Sequence, residues 1–258
     1  MKTLIVITSG KGGVGKTTTA INLGAAINHF GKDVLVIDAN LTTPNIGIHL
    51  NSPEVPVSLN HVLRNKAEVF EAVYEHKSGL KILPSSISLK ELRKIKSKNI
   101  GKFKKDFKKI SDIVIIDSAA GLGDEASDIV AIADELIVVT NPEMPAITDA
   151  LKAIKVASEK NKPIKGIIIT RVKKNKSELQ PETVKEMLEC PILGMIPEDI
   201  SIQEALNERD AVVHTHPSSG AARAYKEIAA NLIGEEYDSK KDREKILHRV
   251  LKKLGLMA

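Results

Sequence analysis

The 258-residue sequence has one thiol, Cys190. An internal disulfide is thereby excluded, and so is a thiolate ligand set for zinc or an iron–sulfur cluster within the chain. Long apolar runs are also missing. Leu4 to Ile7, Val34 to Ile37 and Ile113 to Ile116 are four residues each, far short of the ~18 to 20 that a bilayer span needs. No secretory leader is predicted, because the apolar stretch after Met1 runs into a glycine loop and not into a small-residue cleavage site; the expectation is a cytosolic chain. Tryptophan is absent and aromatics amount to 3%, yet 42% of the residues are hydrophobic and 28% charged. Disordered and fibrous classes are excluded, and the length fits one globular domain or two small ones.

Short β-branched runs alternate with longer segments of helical period. Strands are predicted at Thr3 to Thr8, Val34 to Asp38, Leu80 to Leu83, Asp112 to Asp117, Leu136 to Thr140, Ile164 to Thr170 and Ile192 to Ile196. Helices are predicted at Lys16 to Phe30, Pro145 to Lys160, Pro181 to Cys190 and Gly220 to Leu232. Continuous apolar strands are buried on both faces, which implies an α/β fold: a mainly parallel twisted sheet with helices on both sides. Ligands of such sheets sit at the carboxyl ends of the strands. The body is expected to span 1–234, followed by a polar linker at 235–242 and a separate tail at 243–258.

Net charge is +5, but it is concentrated. Lys90 to Lys109 holds ten Lys/Arg against two acids, and Lys245 to Ala258 holds four Lys/Arg and no acid. Each stretch is either a solvated helix face or a surface for an anionic partner. His214 and His216 flank Thr215 just before Pro217. With no acidic or cysteine cluster beside them in sequence, they read as turn residues and not as metal ligands.

Directly after the first strand comes Gly10-Lys11-Gly12-Gly13-Val14-Gly15-Lys16-Thr17-Thr18. Its GxxxxGK[ST] spacing, between a strand and a helix, is a phosphate-binding loop. Glycines let backbone N–H groups converge on phosphate oxygens, and the helix N-terminus adds partial positive charge. In this reading Lys16 neutralises the β and γ phosphates and the Thr17 hydroxyl ligates Mg²⁺.

The second lysine, Lys11, makes the run more restrictive than the generic loop. It resembles the deviant Walker A motif of the MinD/ParA family of P-loop ATPases. Val36-Ile-Asp38-Ala-Asn40-Leu41 is similar to that family's first switch, and Ile115-Ile-Asp117-Ser-Ala-Ala-Gly121 to its Walker B and second switch. Thr140-Asn-Pro-Glu143 resembles its next strand end. Thr170-Arg171, Ile196-Pro-Glu-Asp199 and Ala221 to Leu232 resemble the base edge and closing helix of the MinD branch, and Leu41-Thr-Thr-Pro-Asn45 its archaeal members.

The resemblance implies that Lys11 crosses an ATP-sandwich homodimer to the partner's phosphates, supplying the stabilisation of an arginine finger. It implies that Asp117 and Asp38 act at Mg²⁺, that Asn45 and Gly121 lie in switch segments, and that Arg171, Pro197 and Asp199 lie near adenine. As alternatives, Lys11 could be a plain surface lysine and Asp117 a helix cap. Position 40 departs from the pattern: the family commonly has Asp there. Asn40 can accept a hydrogen bond from water but cannot take up a proton. Either hydrolysis is slow and the ATP dimer long-lived, or positioning by the amide suffices.

In the tail, Ile246, Leu247, Val250, Leu251 and Leu254 span an arc of about 140° on a helix, with Arg249, Lys252 and Lys253 opposite. This basic amphipathic segment resembles MinD's membrane-targeting helix. One copy binds weakly and two tethered copies bind better, so attachment to an anionic membrane would follow ATP-dependent dimerisation; packing on the body or on a protein is the alternative. The leading expectation is an ATP-dependent spatial switch, cytosolic with ADP and peripheral on the inner membrane face with ATP, recruiting a regulatory or cargo protein in cell-division placement or related organisation. The competing expectations are a ParA-like partition ATPase binding nonspecific DNA and a binding module with an inactive pocket. Iron–sulfur carriers share the loop but need cysteines that this chain lacks.

Overall fold

A computed structural model of the chain describes residues 2–50, 55–88, 97–173 and 175–238. Among these residues eight strands form one sheet: β1 (Thr3–Thr8), β2 (Val34–Ala39), β3 (Tyr74–Glu75), β4 (Lys81–Leu83), β5 (Ile113–Ser118), β6 (Glu135–Thr140), β7 (Ile164–Val172) and β8 (Ile192–Pro197). Their spatial order is β3-β4-β2-β5-β1-β6-β7-β8, and all pairings are parallel except that of β3 with β4. The seven predicted strands are present. Two-residue β3 was not legible, being too short to show a period.

The helices described are α1 (Lys16–His29), α2 (Ile46–His49), α3 (Leu59–Leu63), α4 (Lys104–Ile110), α5 (Asp124–Ile132), α6 (Met144–Glu159), α7 (Pro181–Leu188), α8 (Ile200–Asn207), α9 (Val212–Thr215) and α10 (Gly220–Ile233), with 3-10 turns at Val69–Ala72 and Ser97–Phe103. Helix α7 stops two residues before the predicted end, where Glu189 takes a left-handed φ of 50°. The short α2 and α3 lie between the second and third predicted strands, a stretch that reads only as helical patches without bounds, while α8 and α9 carry too few turns for a helical stripe and were not predicted.

Alternation along each strand sends successive side chains to opposite faces. Ile5, Ile7, Val36, Ile115 and Ile168 pack under α1, α9 and α10, while Leu4, Val6, Leu35 and Ile116 meet α3, α4, which contributes Phe107, and α5. A third cluster joins Val138, Ile167 and Ile169 to α6 and α7. With both faces covered, the usable openings lie at the strand ends.

Helix α10 closes at Gly234, φ 71°. The first residues of the expected linker lie against the end of α1: Glu235 bonds Lys32 at 2.7 Å, and the Tyr237 and Phe30 rings meet edge to face. The tail, with Ile246, Leu247, Arg249, Val250, Leu251, Lys252, Lys253 and Leu254, lies outside the described residues, as do residues 89–96 of the basic stretch. In the described part of that stretch, Lys104 and Lys108 both pair with Asp134, and Lys109 with Asp106.

Candidate functional site

Strand β1 ends in buried Thr8, buried Ser9 follows it, and the chain turns through residues 10–15 into α1. Gly15 sits at φ 91°, a left-handed conformation that favours glycine. Gly10 is required for another reason: a Cβ there would lie 1.8 Å from the Asp149 carbonyl oxygen of α6. The loop is thus pressed onto α6 from one side. From the other, Thr170 on β7 donates from Oγ1 to the Val14 carbonyl at 2.6 Å, and Asn141 Nδ2 donates to Thr170 Oγ1 at 3.0 Å. Lys11, Gly12 and Gly13 remain exposed at the outer edge. Thr18 faces a separate cleft described below.

Lys16 is 7% exposed at the first position of α1. Burial lowers its pKa, and the Asp117 carboxylate opposes that shift. The Thr17 hydroxyl donates to Asp117 Oδ2 at 2.5 Å. Asp117 Oδ1 is buried and has no partner among the described residues, an unusual state for a carboxylate oxygen. A hydroxyl oxygen and a carboxylate with an open oxygen, next to a phosphate loop, fit Mg²⁺, which takes few protein oxygens and shares the rest with phosphates and water.

Asp38 stands beside Asp117 because β2 and β5 run parallel in a register that pairs these two residues. Burial raises both carboxyls above their ordinary values, and Asp117 raises Asp38 further. Asp38 is engaged differently from the expectation of a metal ligand. Its Oδ2 accepts from the N–H groups of Asn45 and Ile46 at 2.8 and 2.9 Å, and its Oδ1 from Asn40 N–H at 3.2 Å. It therefore holds the start of α2 and ties the first switch back to the end of β2. The capping role weighed for Asp117 belongs to Asp38, because its oxygens already meet N–H donors while one of Asp117's does not.

Asn40 Oδ1 accepts from Thr43 N–H at 3.1 Å and Thr43 Oγ1 at 3.2 Å, and Asn45 Nδ2 donates to the Thr43 carbonyl at 2.8 Å. Both amides shape their own loop here. Gly121, at φ 85°, donates its N–H to the Ser9 carbonyl at 3.2 Å, which ties the second switch to the phosphate loop.

Glu125 was not legible in the sequence. From the first turn of α5 it accepts from Leu41 N–H at 2.5 Å and from Thr42 Oγ1 at 2.7 Å, joining the two switch segments. An acid in a helix's first turn is common for dipole reasons alone, so no local signal marks this one. Glu125→Ala is expected to release the first switch. With about 1.5–3 kcal/mol for a bond to a charged acceptor, hydrogen exchange at Leu41 should accelerate about tenfold or more, and unchanged exchange would refute the link.

Thr18 and Gly15 border a cleft of about 220 Å³ whose walls include Arg171, Pro197, Asp199, Ile202 and Tyr225. The structure thus brings Arg171, Pro197 and Asp199 together next to the loop. Arg171 takes φ 56° at the end of β7. The Asp199 carboxylate is committed: Oδ1 accepts from Ser201 and Oδ2 from Ala221 N–H at 3.0 Å, so it caps α8 and reaches the start of α10. Asp199 lines the cleft, but neither oxygen is left without a protein donor. A larger cleft of about 410 Å³, with Pro142, Ile169 and Met195, lies on the opposite face of β7 and contains no phosphate-loop residue; size alone does not select the site.

Residues 1–233 match the ParA family, described as NUBPL iron-transfer P-loop NTPase. An uncharacterized ATP-binding protein of Methanocaldococcus jannaschii is 38% identical, over 98% of this chain and 97% of that protein. Among solved structures, the septum site-determining protein MinD of Pyrococcus horikoshii, complexed with Mg-ADP, superposes with a TM-score of 0.86 at 32% identity, covering 90% of this chain and 96% of that one. A chain of the MinC:MinD cell division protein complex of Aquifex aeolicus gives 0.82 at 30% identity, covering 92% and 97%. Fold, loop and family match agree along the whole body: the chain belongs to the ParA family of P-loop ATPases and stands close to MinD.

Proposed function

We propose that this chain is a MinD-like spatial switch that binds and hydrolyses Mg-ATP, forms a homodimer with ATP, and attaches to an anionic membrane through residues 243–258 to recruit a partner protein. The observation that carries this reading is the knot around Asp117. The open Oδ1 lies beside Asp38, whose carboxylate holds the first switch, and Glu125 joins that switch to the segment following Gly121. A change of charge at Thr17 and Asp117 is therefore felt by both loops.

Lys16 would hold the β and γ phosphates, Thr17 and Asp117 would hold Mg²⁺, and the cleft at Arg171 and Pro197 would take the base. Mg²⁺ at that place neutralises charge on the phosphate oxygens during transfer. Lys11 is exposed on the loop's outer edge while Val14 and Lys16 are buried, which suits a role outside its own subunit. Ile48, Leu122 and Met144 are 46%, 41% and 50% exposed and follow the carboxyl ends of β2, β5 and β6. Their apolar surface around the same opening supports a second copy seated there.

The MinC:MinD complex supports a protein partner for a chain of this shape. Iron transfer, named in the family description, is not carried over, since Cys190 is the only thiol. DNA is the less favoured surface, because Lys104 and Lys108 are engaged by Asp134. The proposed location is cytoplasmic with ADP and peripheral on the inner face of the cell membrane with ATP.

The test is co-sedimentation with anionic liposomes in ATP, ADP and no nucleotide, for the whole chain and for one ending at Ser239. Pelleting in ATP alone, lost with the tail, is expected; pelleting in no state would reject the membrane step and turn attention to DNA and to a docked protein. Asn40→Asp gives a further check. A carboxylate can keep the bonds to Thr43, so the loop survives while a proton acceptor is added. The expected rise in kcat is about 10²-fold, the low end for a positioned acid–base group, and an unchanged kcat would dispose of slow hydrolysis through Asn40.

A further inference from the structure

Asp210, in the connection between α8 and α9, is 6% exposed. Two imidazoles converge on its Oδ1: His214 Nδ1 at 2.8 Å, from one turn further along α9, and His76 Nε2 at 3.7 Å, from the turn between β3 and β4. The rings are stacked, 5.9 Å apart and 11° from parallel. One candidate ligand atom from each residue lies within 4.8 Å of the other two. The reading of His214 as a mere turn residue therefore does not hold in three dimensions; His216, which pairs with Glu204 at 3.2 Å, stands outside the cluster.

We propose that His76, Asp210 and His214 form a Zn²⁺-class metal site that ties the β3–β4 turn to the α9 segment. Two imidazole nitrogens and one carboxylate oxygen suit Zn²⁺ and neighbouring transition ions, whereas Mg²⁺ and Ca²⁺ prefer oxygen alone. Bonds of about 2.0–2.1 Å in a tetrahedron place ligand atoms about 3.3 Å from one another, so small side-chain shifts suffice. Asp210 Oδ2 is already occupied by Lys77 at 2.9 Å, which leaves Oδ1, now shared with the Ala211 N–H at 2.7 Å, as the metal-facing oxygen. Ser78 holds His76 Nδ1 through its N–H, which donates at 3.4 Å, and its Oγ at 3.0 Å, so that the ring turns Nε2 toward Asp210. Such outer partners orient ligating histidines. The His76 and His214 side chains are 10% and 21% exposed, so an ion can enter and water can fill the fourth position.

The anchoring is consequential for the body. Val212, at the start of α9, donates its N–H to Asn22 Oδ1 of α1 at 2.7 Å. An ion at Asp210 would thus join the sheet's edge to the segment docked on the helix that begins with Lys16.

The full chain, stripped by chelator and held in excess Mg²⁺ to cover the Thr17 and Asp117 site, is titrated with Zn²⁺ by calorimetry. One Zn²⁺ per chain is expected, with affinity reduced about tenfold or more in His76→Ala and in His214→Ala and unchanged in His216→Ala. Zn²⁺ should raise the thermal midpoint of the unaltered protein and of His216→Ala only, while midpoints in chelator establish that each variant is folded. Should a variant fail to fold, Co²⁺ in the unaltered chain decides: four-coordinate d–d bands are expected, and six-coordinate aquo-like bands count against the site. Absence of stoichiometric Zn²⁺ binding, or binding indifferent to both histidines, overturns the proposal.

Discussion

Lys11→Ala is expected to lower steady-state ATP turnover by about 10³–10⁵-fold, the range associated with a cation delivered to a phosphoryl transition state, while leaving Mg-ATP binding to one subunit nearly unchanged. The asymmetry follows from where the lysine stands. Lys16 is buried beside Asp117, whereas Lys11 is exposed on the rim and contributes only its carbonyl to the loop, accepting from Ser9 Oγ at 2.7 Å. Removing its side chain leaves the packing against Asp149 and Thr170 intact. Nucleotide affinity by fluorescence titration and turnover by phosphate release separate the two effects. A variant that loses binding and turnover together would place Lys11 at its own subunit's phosphates, and one that loses neither would make it an ordinary surface lysine.

Asp117→Asn should give effects of opposite sign in two assays. Turnover is expected to fall by about 10²–10³-fold, the cost of losing one preorganised electrostatic contact, together with the Mg²⁺-dependent stabilisation by nucleotide. The nucleotide-free protein at pH 8 should unfold at a higher temperature than the original. Burial raises the carboxyls of Asp117 and Asp38. A carboxyl raised in the folded state favours the fold most below its unfolded value, near pH 4, and that contribution disappears as pH climbs through the folded value. The empty site therefore destabilises the fold at alkaline pH, and a neutral amide at position 117 relieves it. Unaltered Mg²⁺-dependent turnover in the variant would remove Asp117 from the metal site.

Asp38 does not share this behaviour, although it lies beside Asp117 and is raised in the same direction. Both its oxygens accept backbone N–H groups. An amide there would turn an NH₂ group toward a donor, so the first switch would be lost before any relief of charge was felt. Two aspartates in register on adjacent strands thus have different work: one keeps an oxygen open beside the Thr17 hydroxyl, the other fixes the first switch through backbone N–H groups.

Much of this was readable from local patterns. The loop from Gly10 to Thr18 is contiguous, and its flanking strand and helix are set by residues within a few positions, so its place at the head of α1 followed from spacing alone. The parallel sheet was readable because four-residue apolar runs leave no polar face. Position 40 was visible as a departure, but its use was not: the Asn40 side chain turns to Thr43, three residues on, a choice made by loop conformation. The resemblance set Asp199 near a base; the structure puts it on the wall of the cleft beside Gly15 and Thr18, with its carboxylate occupied in capping α8 and reaching α10.

What the sequence by itself determined is the chemistry carried by near neighbours: a phosphate loop with a second lysine, strands buried on both sides, one thiol, and a last stretch rich in basic and aliphatic residues. What only the tertiary structure decided is which distant groups share a proton donor or a charge. Strand register set Asp38 beside Asp117, helix placement brought Glu125 to Leu41, and the edge turn carried His76 to Asp210 and His214. The physical reason is that these contacts depend on how strands pair and helices dock, which depends on burial summed over the whole core, and no short stretch of sequence contains that sum.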